Sequence, residues 1–264
     1  MKVHIGTSGF SYPEWRGSFY PEKFPPKKML SYYSERLSTV ELNNTFYRMP
    51  KEDALRTWAD TTPPGFCFAP KAPQQITHRL KLAGAADAAG YLFRTLAALG
   101  DKLGPILFQL PPFLRKDLPR LTDFLALIPP GTKTAFEFRH ASWFDDSVFQ
   151  ALASAGAALC IAEAEDLATP LVATTDWGYL RLRRMDYEEP ALKAWVDRLV
   201  TESTPHPATS RAVTAWHSTF VYFKHEEAGR GPQLASVFAR VLAGIPNVSV
   251  ASTESSATAA PSSI

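Results

Sequence analysis

Six short apolar runs, each ending on a charged or amide side chain or carrying one near its end, constrain this chain more than any other feature. They are Val40-Glu41-Leu42-Asn43, Phe66-Cys67-Phe68-Ala69-Pro70-Lys71, Ile106-Leu107-Phe108-Gln109, Phe136-Glu137-Phe138-Arg139, Tyr179-Leu180-Arg181-Leu182-Arg183 and Val221-Tyr222-Phe223-Lys224-His225. Side chains alternate between the two faces of a strand, so Glu137 and Arg139 share a face, as do Arg181 and Arg183. The intervening Phe and Leu side chains share the opposite face. Strands with polar groups at their C-terminal ends are the footprint of a parallel α/β barrel, whose site lies at that end. The expected fold class is therefore α/β, a TIM-type (β/α)8 barrel.

The length of 264 residues, 45% of them hydrophobic, suits one such domain. Eight strands are expected, at residues 3–6, 39–43, 66–71, 105–109, 134–139, 158–163, 179–183 and 220–224. Helical patterns fill most gaps: 28–37, 52–60, 85–99, 117–128, 145–155, 190–202 and 232–243. Pro50 stands near the start of the second helix, and Gly156 is a left-handed cap for the fifth. The repeat is irregular between strands six and seven, where residues 164–178 are short for a helix and contain Pro170. The barrel domain is expected over residues 1–248. A Ser-, Ala- and Thr-rich tail, expected to be disordered, takes 249–264.

A net charge of +2 is too mild to draw nucleic acid by global attraction, although a local basic patch remains open. Cys67 and Cys160 fall inside expected strands and read as buried thiols, not a disulfide framework. There is no apolar leader and no run of about 18 apolar residues. No membrane association and a cytoplasmic location are the expectations. Oligomeric state is not legible.

The strand ends carry the chemistry. Glu41, Asn43, Lys71, Gln109, Glu137, Arg139, Arg181, Arg183 and Lys224 would converge at one mouth. Buried charges must pair, hydrate or meet a ligand. One outcome is a self-neutralising network of Glu41 and Glu137 against Arg139 and Arg181. Five cations nevertheless face two carboxylates, and the surplus points to an anionic ligand bearing phosphate or carboxylate, which guanidinium forks suit. Glu41 and Glu137, with His78 and His225, are the acid/base candidates; His140 follows Arg139 directly. No zinc-ligand spacing occurs and no cofactor is expected, although Glu41, Glu137, Glu163 and His225 could supply an oxygen-rich divalent-metal site. Nucleotide-binding glycine motifs are absent. The first loop interleaves Phe10, Tyr12, Trp15, Phe19 and Tyr20 with Arg16 and Lys23. It reads as a plug with one or two aromatic faces left open, Tyr12 and Trp15 facing the ligand, and Trp143 lines the same rim.

Ile5-Gly6-Thr7-Ser8-Gly9-Phe10-Ser11-Tyr12 with Trp15, Gly17 and Phe19-Tyr20-Pro21 resembles the opening of the domain-of-unknown-function 72 family, also called YecE-like. Val40 to Arg48, Lys71-Ala72-Pro73 with Ile76-Thr77-His78, Gln109-Leu110-Pro111-Pro112, and Glu137-Phe138-Arg139-His140 with Ser142-Trp143 are similar to its further blocks. The resemblance covers residues 3–245 and implies a TIM barrel, with no established activity. Many members carry Arg-x-His-Gly near strand seven and Phe-Asn-Asn at the end of strand eight. This chain has Arg181-Leu182-Arg183-Arg184 and Phe223-Lys224-His225, which add positive charge at the mouth.

Three functions are consistent with these residues. The first is an enzyme acting on a small anionic or sugar-like metabolite by general acid/base chemistry, a hydrolase, lyase or isomerase. Its acids and bases would be Glu41, Glu137, His78 and His225, and its anion holders Arg139, Arg181, Arg183 and Lys224. Asn43 and Gln109 would orient the substrate. The second is single-stranded nucleic-acid binding or processing through the aromatic-basic loop, and the third is non-catalytic sensing of an anionic metabolite.

Overall fold

Parallel strands alternating with helices wind into a nearly closed barrel. The computed structural model describes residues 1–163, 168–184, 186–202, 215–224 and 227–253. The strands are β1 (Lys2–Ser8), β2 (Thr39–Leu42), β3 (Cys67–Pro70), β4 (Ile106–Gln109), β5 (Thr134–Glu137), β6 (Ala158–Glu163), β7 (Trp177–Leu182) and β8 (Ser218–Phe223), in the order β3-β2-β1-β8-β7-β6-β5-β4. The helices are α1 (Met29–Ser34), α2 (Asn44–Tyr47), α3 (Glu52–Thr61), α4 (Ala86–Leu96), α5 (Leu118–Leu125), α6 (Asp146–Ser154), α7 (Glu189–Glu202) and α8 (Arg230–Leu242). All eight expected strands are present. The short α2 and a π turn over Gln75–Arg79 are additions at the mouth.

Period-two alternation sorts the strands as anticipated. Phe108, Phe136, Phe138, Leu180 and Leu182 face outward and pack beneath the helices. Ala69, Leu107, Ala135, Cys160, Tyr179 and Tyr222 face inward and fill the cylinder. The floor is aromatic: His4 stacks on Phe220 at 4.6 Å, and Trp177 meets Phe220 edge-on at 6.1 Å. The middle layer holds Tyr179 against Tyr222 at 5.0 Å, with the Tyr222 hydroxyl 2.8 Å from Thr39 Oγ1. Among the described residues, the buried charges Glu41, Glu137 and Arg181 all stand in the top layer.

Helix ends follow local chemistry. Asp117 and Asp145 accept N–H bonds from Arg120 (3.1 Å) and Ser147 (3.0 Å), capping α5 and α6. Gly156 adopts φ +65° behind α6, where an L side chain is strained. Between β6 and β7 the described residues 168–176 contain no helix, as expected.

The junction between β3 and β4 differs from the others. No continuous ladder joins them; isolated bridges pair Phe68 with Leu103 and Lys71 with Leu107. The Gly104 N–H donates to Phe68 O (2.7 Å) and the Ala72 N–H to Leu107 O (2.8 Å). A second departure concerns the expected tail. Ser249–Val250 form a short strand, β9, parallel to the start of β1, and the Ala251 N–H donates to Val3 O at 2.8 Å. Residues 254–264 lie outside the described residues.

Candidate functional site

The top of the barrel is built around Arg181. β7 places this side chain two residues beyond Tyr179 on the inward face, where β2 and β5 present Glu41 and Glu137 from other sides. Arg181 Nη2 donates to Glu41 Oε1 at 2.8 Å, and Nη1 donates to Glu137 Oε2. All three residues are at most 2% exposed. Glu41 also accepts from Ser8 Oγ (2.8 Å) and Tyr179 OH (2.7 Å). Gln109 Nε2 donates to Glu137 Oε1 (2.8 Å), and Lys71 Nζ donates to Gln109 Oε1 (2.8 Å). Arg183 Nη1 lies 3.6 Å from Glu137 Oε1.

Burial alone would push the Glu137 carboxyl up. The guanidinium groups of Arg181 and then Arg183 outweigh it and hold the carboxyl below its usual range. For Arg181, burial opposes the charge, and Glu137 and Glu41 overcome it, raising its pKa. Lys71 is pushed down to about 8, first by burial and then by Arg181. His78 is lowered by burial, Lys71 and Arg139. Its Nδ1 is 2.9 Å from Thr77 Oγ1, and its ring meets Phe46 edge-on at 5.0 Å.

These contacts divide the anticipated residues. Glu41, Glu137, Gln109 and Arg181 form a covered layer. Lys71, Arg183, Asn43 and Lys224 are half-buried at the strand ends, His78 is half-buried in the π turn, and Arg139 is exposed. The anticipated ion network exists with a change of partner. Arg139 stands beyond the last paired residue of β5 and is exposed, and Arg181 binds both carboxylates. His225 lies outside the described residues.

Three expectations need correction. Trp143 does not line the rim: it is 1% exposed, stacks on the outward-facing Phe138 at 4.6 Å and donates from Nε1 to Leu114 O (2.7 Å). Trp15, also 1% exposed, packs on Tyr12, Phe19 and Tyr20, so the first loop is a folded plug and Trp15 offers no face to a ligand. Tyr12 is half-buried with its hydroxyl donating to Ser8 O (2.6 Å). Glu163 cannot join Glu41 and Glu137 around a metal, because it faces outward and accepts from Tyr187 OH (2.5 Å) and Trp195 Nε1 (2.7 Å). Among the described residues no three His, Cys, Asp or Glu side chains gather to hold a metal ion. His140 caps its own turn, its Nδ1 accepting from the Ser142 N–H at 3.1 Å.

Ser8 and Tyr179 are site residues that the strand-end pattern passes over. Tyr179 was findable, since it shares the inward face with Arg181; Ser8 closes β1 on the same face as Gly6. Tyr179→Phe removes one of the hydrogen bonds to a buried carboxylate and is expected to cost about 1.5–3 kcal/mol, read as a lower urea midpoint with unchanged slope. A cavity of about 820 Å³ opens at the opposite end of the barrel, beside His4, Cys67, Lys133 and Phe220, and none of the anticipated residues lines it.

Fold and mouth together define a parallel α/β barrel with a charged, cation-rich C-terminal end. The sequence profile described as "Protein of unknown function DUF72" matches residues 4–258, and the chain belongs to that family. It is 27% identical over 156 residues to the UPF0759 protein YunF of Bacillus subtilis (strain 168), a match covering 56% of this chain. The chain spans about half, 54%, of that relative's length. The crystal structure of a DUF72 family protein from Thermotoga maritima MSB8 superposes with a TM-score of 0.77 at 26% identity, over 92% of this chain and 100% of that one. A DUF72 family protein from Enterococcus faecalis V583 gives 0.75 at 16% identity, over 91% and 95%, a likeness of fold. Among the described residues no helix is long and apolar enough to cross a membrane.

Proposed function

We propose that the protein is an enzyme acting on a small anionic metabolite, carboxylate or phosphate, held at the C-terminal mouth of the barrel. The observation that carries this reading is the state of Arg183. Its guanidinium is 21% exposed and reaches Glu137 only at 3.6 Å, and its buried Nε has no hydrogen-bond partner among the described residues. Arg181, Arg183 and Lys71 meet two carboxylates, both already bound to Arg181. That leaves surplus positive charge at the top of the barrel and a partly exposed guanidinium held by a single long ion pair, which supports binding of a forked anion there.

Glu41 and Glu137 serve here as the counter-charges that position Arg181, and proton transfer passes to Lys71 and His78. Both have pKa values shifted towards neutral amine and neutral imidazole. Non-catalytic sensing uses the same anion contacts and differs only in returning the ligand intact. The nucleic-acid reading loses its support in the first loop, where Trp15 and Tyr20 are buried.

Inorganic phosphate and malonate, at ionic strength held constant with chloride, are the probes. Both are expected to raise the Tm of the wild-type protein, and Arg183→Met is expected to weaken them about tenfold or more, since a charge-assisted bidentate pair is lost. Equal binding by the wild type and Arg183→Met would sink the reading.

A further inference from the structure

We propose that Lys71 is a nucleophilic amine that condenses with the carbonyl group of a small oxo acid to form an imine at the barrel mouth. This rests on the anion reading above, with the carboxylate of the oxo acid held by Arg183.

The position of the amine comes from the strand. Lys71 follows the last residue of β3 on the inward face, two residues beyond Ala69, and an isolated bridge to Leu107 sets its backbone beside β4. Nζ donates to the neutral Gln109 Oε1 at 2.8 Å and lies 4.3 Å from the centre of the Phe46 ring. Among the described residues it forms no ion pair. The two carboxylates of the layer below are taken by Arg181. A lysine kept to hold the barrel together would pair with one of them; this one is set on an amide and an aromatic face beside two guanidinium groups.

That environment removes the usual protection of the amine. Burial first, then Arg181 and Arg183, bring its pKa to about 8 against the opposing pull of Glu41 and Glu137. More of the amine is then unprotonated at neutral pH than for an ordinary lysine of pKa about 10.4. Desolvation and adjacent cations are the two recognised means of activating a lysine for attack on carbonyl groups. The residue is half-buried at the end of β3.

The step balances without an oxidant or reductant. The nitrogen lone pair attacks the carbonyl carbon, and the carbonyl oxygen takes up the proton that nitrogen loses. A second proton on that oxygen lets it leave as water, and the nitrogen lone pair completes the C=N bond. His78 packs on the same Phe46 ring that flanks Lys71, with Nδ1 engaged by Thr77, which leaves Nε2 to relay these protons. The protonated imine then withdraws electrons from the adjacent carbon, which is what proton abstraction or C–C cleavage next to a carbonyl requires.

Full-chain protein is treated with pyruvate and sodium borohydride, or with acetone and borohydride as the uncharged comparison, and reduced adducts are mapped by peptide mass. The expected result is one pyruvate adduct on Lys71, formed at least tenfold faster than on any other lysine and rising with pH to a plateau past about 8. Lys71→Arg abolishes it. Arg183→Met slows the pyruvate adduct tenfold and leaves the acetone adduct unchanged. Adducts spread over surface lysines alike in wild type and Lys71→Arg overturn the proposal. Phosphate binding with no Lys71 adduct leaves the anion reading standing and removes the imine. Preferential acetone labelling of Lys71 with no advantage for pyruvate does the reverse: the amine is reactive, and the anion cradle and the oxo-acid assignment fail.

Discussion

Arg181→Met is expected to lower the stability of the folded protein by about 3–5 kcal/mol, because it strands two buried carboxylates without their cation. Glu41 and Glu137 are at most 1% exposed, and each accepts a hydrogen bond from the same guanidinium. Methionine fills similar volume, so the loss measures uncompensated charge more than a cavity. The pH dependence identifies the cause. In the wild type the Glu137 carboxyl sits below its unfolded value, so its stabilising contribution is present above about pH 4.3 and is lost as pH falls through the folded value. In Arg181→Met, burial of Glu137 is opposed mainly by Arg183, and the carboxyl shifts upward. Acidification then relieves the variant. The gap between the two proteins in urea midpoint should narrow from pH 8 to pH 5. A gap that stays constant across that range would mean the arginine acts through packing.

Gly6→Ala carries the other large effect. β1 and β2 pair with Gly6 opposite Thr39, and a Cβ on Gly6 would stand 2.0 Å from the Thr39 carbonyl oxygen, a backbone atom that cannot swing aside. The strands must part where their pairing begins. The Tyr33 hydroxyl, which accepts from the Thr7 N–H and donates to Thr39 O, would lose its geometry in the same step. The expected cost is about 3 kcal/mol, at the upper end for overpacking. Thermal unfolding checks it, and a Tm within a degree or two of wild type would show that the strands have slack.

Strand-end periodicity carried most of the fold. Alternation alone separated Phe136, Phe138, Leu180 and Leu182 from Glu137 and Arg181, and the structure keeps that division. It could not choose between arginines. Arg139 and Arg181 both occupy inward positions in sequence, yet β5 ends at Glu137 while β7 runs to Leu182, so only Arg181 is held inside. Ligand-like aromatics failed for a related reason. A tryptophan after a strand end can turn to the mouth or fold back over the outer face, and Phe138 offers Trp143 a flat apolar partner there. The plug in the first loop consumes its own rings in the same way, Tyr20 stacking on Phe24 and Phe19 meeting Tyr32. Which carboxylates are enclosed is a property of strand register across the barrel, and no local window of sequence contains it.

The thin junction between β3 and β4, two isolated bridges in place of a ladder, is where the cylinder is expected to open at least cost. Separating two bridges there frees one wall of the mouth while the ladders among β1, β8, β7 and β6 stay intact. Lys71 stands at that junction and Arg181 on the laddered wall. Small openings would therefore change the spacing between amine and guanidinium, widening the entrance for an incoming molecule without disturbing the charges that anchor the cup.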